Sequence, residues 1–311
     1  MPRSMFLRKL VCLVGLASLL LTLGATPPMA YGVNAVNSGL EAPGKVYLPL
    51  VSKDAKSLAE MILIPAGNFR MGCSPNDSIC SIWEENETDE KPLHIVYLDS
   101  YYIDKYEVTN ARYATCVAAG GCTRPQYVKS ATRPSYYGNP IYDNYPVINV
   151  DWDQAKTFCE WDGKRLPTEA QWEKAARGSI DPPIIYPWGD QAPICSLANH
   201  IYWDGSSHYT DCIGDTSAVG SYPLGASPYG VMDMAGNVME WVNDWYQYDY
   251  YGSQLTWNNP LGGIPDFNEP MRLLRGGSWN NYWAFLRTST RLTNVQSNWA
   301  NYAGVRCVRS P

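Results

Sequence analysis

The chain has 311 residues, 45% of them hydrophobic and 17% charged, with a formal charge of −6. That acidity argues against a nucleic-acid partner, which needs a basic stripe, and against binding to an anionic membrane face. The length suits one large domain or two small ones.

Arg3, Arg8 and Lys9 precede an apolar run from Leu10 to about Ala25. Pro28-Met-Ala30 or Val33-Asn-Ala35 offers the small-residue cleavage site of an export signal. The run is shorter than the roughly 20 apolar residues of a membrane span, and Cys12 lacks the preceding small residue of a lipid anchor. We therefore expect a signal peptide over residues 1–30, no membrane attachment after its cleavage, and a secreted or cell-envelope protein. Residues 31–58 mix Gly, Asn, Pro and Ser around one β-prone run, Lys45–Val51, and read as a linker. No change in composition divides Met61 from Cys307, so residues 59–311 are expected to form one domain.

Within that domain, Ile62–Met71 and Ile95–Asp104 read as strands. Helices are expected at Thr109–Val117, capped by Thr109, and at Asp151–Trp161, with Ala155, Phe158 and Cys159 at helical spacing. A third is expected at Thr168–Arg177, where Thr168 and Gln171 form a capping box and Gly178 is the stop. Further strands are expected at Val238–Asn243, Met271–Arg275, Phe285–Arg291 and Val305–Arg309. The remainder is rich in Gly, Pro, Asn and Tyr, so regular structure should be sparse, and no internal repeat is visible.

Eight cysteines follow the signal, an even number that in an exported chain points to disulfides. Cys73/Cys80 and Cys116/Cys122 bracket short loops. Cys195/Cys212 would close a loop holding Asn199 and Asp211, which leaves Cys159 and Cys307. A zinc site is disfavoured because there is no C-x-x-C spacing and the only histidines are His94, His200 and His208.

Two oxygen-rich sets suit a hard cation such as calcium. One is Asp233 and Glu240 with the carbonyls of Gly236 and Val238. The other is Asn199 and Asp211 with the carbonyls of His200 and Ile213. Asx-turns and caps without metal are the competing use of the same residues.

Several segments resemble the formylglycine-generating enzyme (sulfatase-modifying factor) family. They are Met61–Gly72, Tyr106-Glu-Val-Thr-Asn110, Gly163–Glu173, Met232–Trp241, Arg275-Gly-Gly-Ser-Trp279 and Gly304-Val-Arg-Cys307, in that order. The resemblance implies an α+β fold with a C-type-lectin-like core, stabilised by disulfides and calcium. It implies a long-range disulfide at the positions of Cys159 and Cys307, and two structural calcium ions at the two oxygen sets. The family's oxidase uses two copper(I)-binding thiols after G-G-S-x-x to turn a substrate cysteine into formylglycine, and thiolates suit that soft ion. Here those positions hold Asn281 and Leu286, and only Ser278 matches, so we expect no copper and no oxidase. The three-histidine motif of an iron-dependent branch is missing, as are G-x-S-x-G, H-E-x-x-H and Walker loops.

Trp161, Trp172, Trp188, Trp241 and Trp245 are expected to pack in the core. Tyr248, Tyr250, Tyr251, Trp257, Tyr282, Trp283, Trp299 and Tyr302 lie in polar loop sequence. Tyr, Trp and Asn on loops compose binding surfaces. Some relatives with Asn/Tyr-rich stretches at this place are ligand-binding proteins. We expect a concave site lined by Ser278, Asn281, Tyr282 and Trp283, with Asn301 and Tyr302 at its rim, for a peptide or a glycan. The expected function is that of a binding or accessory protein. The alternative is an oxidoreductase that makes formylglycine with an altered metal centre.

Overall fold

A computed structural model describes residues 60–78, 89–203, 209–253, 257–266 and 270–311. The signal and linker expected over residues 1–58 lie outside the described residues, and so does Cys80.

The domain is mixed α/β with few helices. Among the described residues three α-helices begin where the caps place them. Thr109 caps α1 (Asn110–Ala118) by accepting from the Arg112 amide. Asp151 and Gln154 close a capping box on α2 (Trp152–Trp161), and Thr168 and Gln171 close another on α3 (Glu169–Arg177). These side chains satisfy amides that a helix N-terminus leaves unpaired.

Short strands surround the helices. β1 (Met61–Ile64), β4 (Tyr101–Asp104) and β12 (Val308–Arg309) form one sheet, with Ile64 opposite Tyr101. A second sheet holds β2 (Gly67–Met71), β3 (His94–Leu98) and β8 (Trp257–Asn258). The third runs in the order β10 (Leu292–Val295), β9 (Met271–Arg275), β7 (Met239–Trp245), β11 (Ala303–Gly304), with Glu240 opposite Arg275. A separate hairpin pairs β5 (Ile201–Trp203) with β6 (Tyr209–Asp211).

Four expected strands differ from those observed, and of Val305–Arg309 only Val308–Arg309 is strand. Ile62–Met71 breaks at Pro65, which has no amide to donate, and the Lys174 ammonium binds the carbonyls of Pro65 and Gly67 on either side of the break. Ile95–Asp104 breaks at Asp99, whose amide donates to Asn259 Oδ1. Phe285–Arg291 is no strand. A 3-10 turn spans Trp283–Leu286, and every residue from Leu286 to Arg291 is buried, so the in-and-out alternation of a half-buried strand is lost.

One apolar core gathers Ile64, Phe69, Val96, Trp172, Val242 and Leu273 around α3. Another joins Tyr113 and Phe158 of the other helices to Trp241 and Leu274. All nine residues of α3 are buried, charges included. Glu169 is held by Arg275 and Arg291, and Glu173 by Arg275 and Arg177. Arg177 also donates to the Gly72 carbonyl at 2.6 Å.

Disulfides join Cys116 to Cys122, Cys159 to Cys307 and Cys195 to Cys212, and Cys73 is also disulfide-bonded. Among the described residues no helix is long and apolar enough to cross a membrane.

Candidate functional site

β9 ends at Arg275, and the chain turns through Gly276 and Gly277 at φ +91° and +66°. Only glycine enters this region without strain. At Gly277 a Cβ would lie 2.8 Å from the Phe285 carbonyl oxygen, so the turn also needs the missing side chain. The loop that follows is pinned from both ends. The Trp279 amide donates to the Asn237 carbonyl and its indole to the Asn301 carbonyl. Ser278 is buried and donates to Asn281 Oδ1 at 2.7 Å, while the Asn281 carbonyl accepts from the Ile201 amide. Leu286 is 0% exposed, packed with Tyr186, Ala198 and Ala235.

The rings between these anchors point outward. Tyr282 and Trp283 are 42% and 40% exposed. Beside them stands the β5–β6 hairpin, with Trp203 against Tyr209 at 4.8 Å and Tyr209 against Tyr282 at 4.5 Å between ring centroids. Trp283 borders a cleft of about 620 Å³ walled by Tyr186, Tyr202, Trp203 and Tyr209, with Asp77, Asp190 and His200. Burial lowers the His200 pKa, so the imidazole is neutral at physiological pH. Arg287 fixes one wall by donating to Asp77 and, through both Nη atoms, to Glu90.

Asn301 and Tyr302 line a different hollow of about 440 Å³, with Tyr127, Lys129 and Trp299. Tyr127 and Trp299 meet edge to face at 4.5 Å. Of the other loop aromatics, Tyr248 is exposed, whereas Tyr250, Tyr251 and Trp257 are buried in the core. Trp161, expected inside, is 42% exposed.

The two oxygen-rich sets sit close behind this loop. The Asn237 amide donates to the Asn199 carbonyl, which binds the turn after Asp233 to the other set. Asn199 Oδ1 and Asp233 Oδ1, one from each set, are buried oxygens without a hydrogen-bond donor, as an oxygen-seeking cation requires. The carbonyl of His200 accepts from the Cys212 amide, and Asp211 and Ile213 are exposed. The Gly236 amide donates to the Gly276 carbonyl, which ties the second set to the loop. Glu240 is committed elsewhere: it accepts from Arg306 and from the Trp172 indole. Glu107, which pattern reading passed over, accepts from Asn237 and the Val238 amide. Burial, reinforced by Asp233 and Glu240, raises the Glu107 pKa well above the carboxylate range. Burial also lifts Asp233 to about 6. Among the described residues no three His, Cys, Asp or Glu groups converge as a metal site, so the fit to calcium rests on one side-chain oxygen per set plus main-chain carbonyls.

A fold of short strands, few helices and long pinned loops, ending in the R-G-G-S-W and G-V-R-C segments, has counterparts among known proteins. The chain belongs to the sulfatase-modifying factor enzyme 1-like domain family, whose model matches residues 48–311. That match starts within the 31–58 segment. The formylglycine-generating enzyme of Thermomonospora curvata is 30% identical over 299 residues, covering 81% of this chain and 93% of that protein. A protein of Chlamydia pneumoniae named serine/threonine-protein kinase pkn1 is 33% identical over 263 residues, covering 81% of this chain; the match spans only 38% of that protein's length. Among solved structures, PvdO from Pseudomonas aeruginosa superposes with a TM-score of 0.62 at 29% identity, covering 82% of this chain and 96% of that one. Treponema denticola variable protein 1 shares the fold, with a TM-score of 0.56 at 22% identity over 81% and 95% of the two chains.

Proposed function

We propose that this family member is an exported binding or accessory protein that recognises a peptide or glycan through its Asn/Tyr/Trp-rich C-terminal loop, and that it does not make formylglycine. The observation that carries the reading is the pair of positions where the family resemblance places thiols. Asn281 there is hydrogen-bonded to Ser278, and Leu286 is sealed in the core. Neither side chain holds copper(I). Exposed rings beside a concave surface supply what a binding site needs instead. The disulfides support an oxidising, extracytoplasmic setting.

The test has two arms. Incubation of a C-x-P-x-R peptide with the protein, copper(I), oxygen and reductant should leave the peptide mass unchanged; turnover at the cysteine would sink the reading. Screening on peptide and glycan arrays should find a ligand whose signal falls with Trp283→Ala at an unchanged melting temperature.

Calcium is part of the same proposal. Asn199, with the His200 carbonyl, Asp211 and the Ile213 carbonyl, would hold one ion. Asp233, the Gly236 and Val238 carbonyls and Glu240 would hold the other. Each ion would cross-brace loops that carry little regular structure. Removing calcium with a chelator should lower the melting temperature of the wild type and shift Asp233→Asn less. A chelator without effect on either protein would refute it.

A further inference from the structure

The 620 Å³ cleft that Trp283 borders draws most of its wall from segments outside the C-terminal loop. These are residues 185–194, the β5–β6 hairpin and the turn at Asp77 and Ser78. Five rings line it, and two of them, Trp203 and Tyr209, keep 43% and 52% of their surface in solvent. Clustered exposed rings mark a contact site more often than scattered ones do. Trp203, Tyr209 and Tyr282 form a connected run at 4.8 and 4.5 Å, so the hairpin and the loop present one aromatic surface.

The charge at this cleft is one-sided. Asp77 and Asp190 line it, and among the described residues no lysine or arginine does. Behind it, Arg287 serves both Asp77 and Glu90. Asp190 accepts only from neutral groups, the Ile185 amide at 2.9 Å and the Asn76 side-chain amide at 3.5 Å. Ring faces carry negative quadrupole density and attract cations, and an unneutralised carboxylate at the rim selects the same sign. A glycan would use the rings but gain little from that excess charge.

Resting on the reading of this face as a binding surface, we propose that the cleft is a site for an organic cation, an alkylammonium or guanidinium group. The rings of Trp203, Tyr209 and Trp283 supply its faces, and Asp190 supplies the counter-charge. A free small cation of the choline type and a basic side chain on a peptide share this chemistry.

Titration calorimetry and tryptophan fluorescence on the full chain test it. The probes are choline against its neutral isostere 3,3-dimethylbutan-1-ol, and capped arginine and lysine peptides against the citrulline peptide. The charged probe of one or both pairs should bind about tenfold tighter than its neutral counterpart and weaken as salt rises. Trp203→Ala and Asp190→Asn should each weaken that binding by about tenfold, and Asn keeps an acceptor for the Ile185 amide. Trp299→Ala, in the other hollow, should leave it unchanged. Binding of choline alone assigns a free cation, and binding of the basic peptides alone assigns a partner chain. Equal affinity for charged and neutral probes, or no binding of either, overturns the proposal. If that happens while an array ligand still depends on Trp283, the binding face stands and only its cation preference falls. If no ligand depends on Trp283, both fall.

Discussion

Arg275 and Trp283 are close in sequence and opposite in environment. Arg275, the last residue of β9, is fully buried among charges, and Trp283, in the loop that follows, holds its indole in solvent. Arg275 donates to Glu169 and Glu173 and to the carbonyls of Thr288, Ser289 and Thr290. Both Nη atoms are filled in this way, and a charge survives such burial only when it is paired, so removing one member strands the rest. An exposed ring carries no such dependence. The contrast separates what keeps this domain folded from what is free to contact a ligand.

The largest expected effect falls on the buried side. Arg275→Met leaves Glu169 and Glu173 short of a partner inside the protein and should destabilise it by about 3–5 kcal/mol. Urea unfolding measures this, and a loss within experimental error would mean that the lattice tolerates a missing member.

A pH-dependent effect sharpens the same side. Asp244 is buried, and its Oδ2 accepts from the Glu169 amide at the start of α3. Burial first, and Glu169 second, push its pKa from 3.8 to about 8. The folded state thus keeps a proton that the unfolded chain releases near 3.8. The stability this gives is complete below that value and is lost as pH rises towards about 8. Asp244→Asn should remove that decline, so unfolding free energies of wild type and variant should diverge across the window. Parallel curves would show that Asp244 is ionised in the fold.

The smallest effect belongs to the rings. Trp283→Ala and Trp203→Ala should each change stability by no more than about 0.5 kcal/mol, as surface substitutions do. A loss of several kcal/mol in either would erase the contrast and return these rings to the core.

Much of the scaffold was legible in residue order. Thr109, Asp151 and Thr168 sit where capping chemistry places them, because a cap acts over three or four neighbouring residues. The Cys116/Cys122 pairing follows from a short loop, Cys195/Cys212 closes the loop that holds Asn199 and Asp211, and the Gly276–Gly277 break follows from backbone sterics. The candidate site was legible only in part. Tyr282 and Trp283 are exposed as expected, but the cleft beside them is completed by Tyr186, Tyr202, Trp203 and Tyr209 from other segments. Their only signal was aromatic residues in an otherwise polar stretch.

The sequence by itself therefore determined the local elements, the sulfur pairs and the family resemblance, each of which rests on short-range chemistry or fixed motifs. Tertiary structure alone decided which charges go inside. Glu169, Glu173, Lys174 and Arg177 are charged, yet all are buried: Arg275 and Arg291 reach the two glutamates from about a hundred residues away or more, Lys174 binds the carbonyls of Pro65 and Gly67, and Arg177 binds Glu173 and Thr288. Arg275 likewise holds the carbonyls of Thr288, Ser289 and Thr290 in the segment expected as the strand Phe285–Arg291, which is instead an inward-facing turn from Leu286 onward. Burial of a charge depends on partners that only the folded chain assembles, and no local pattern encodes them.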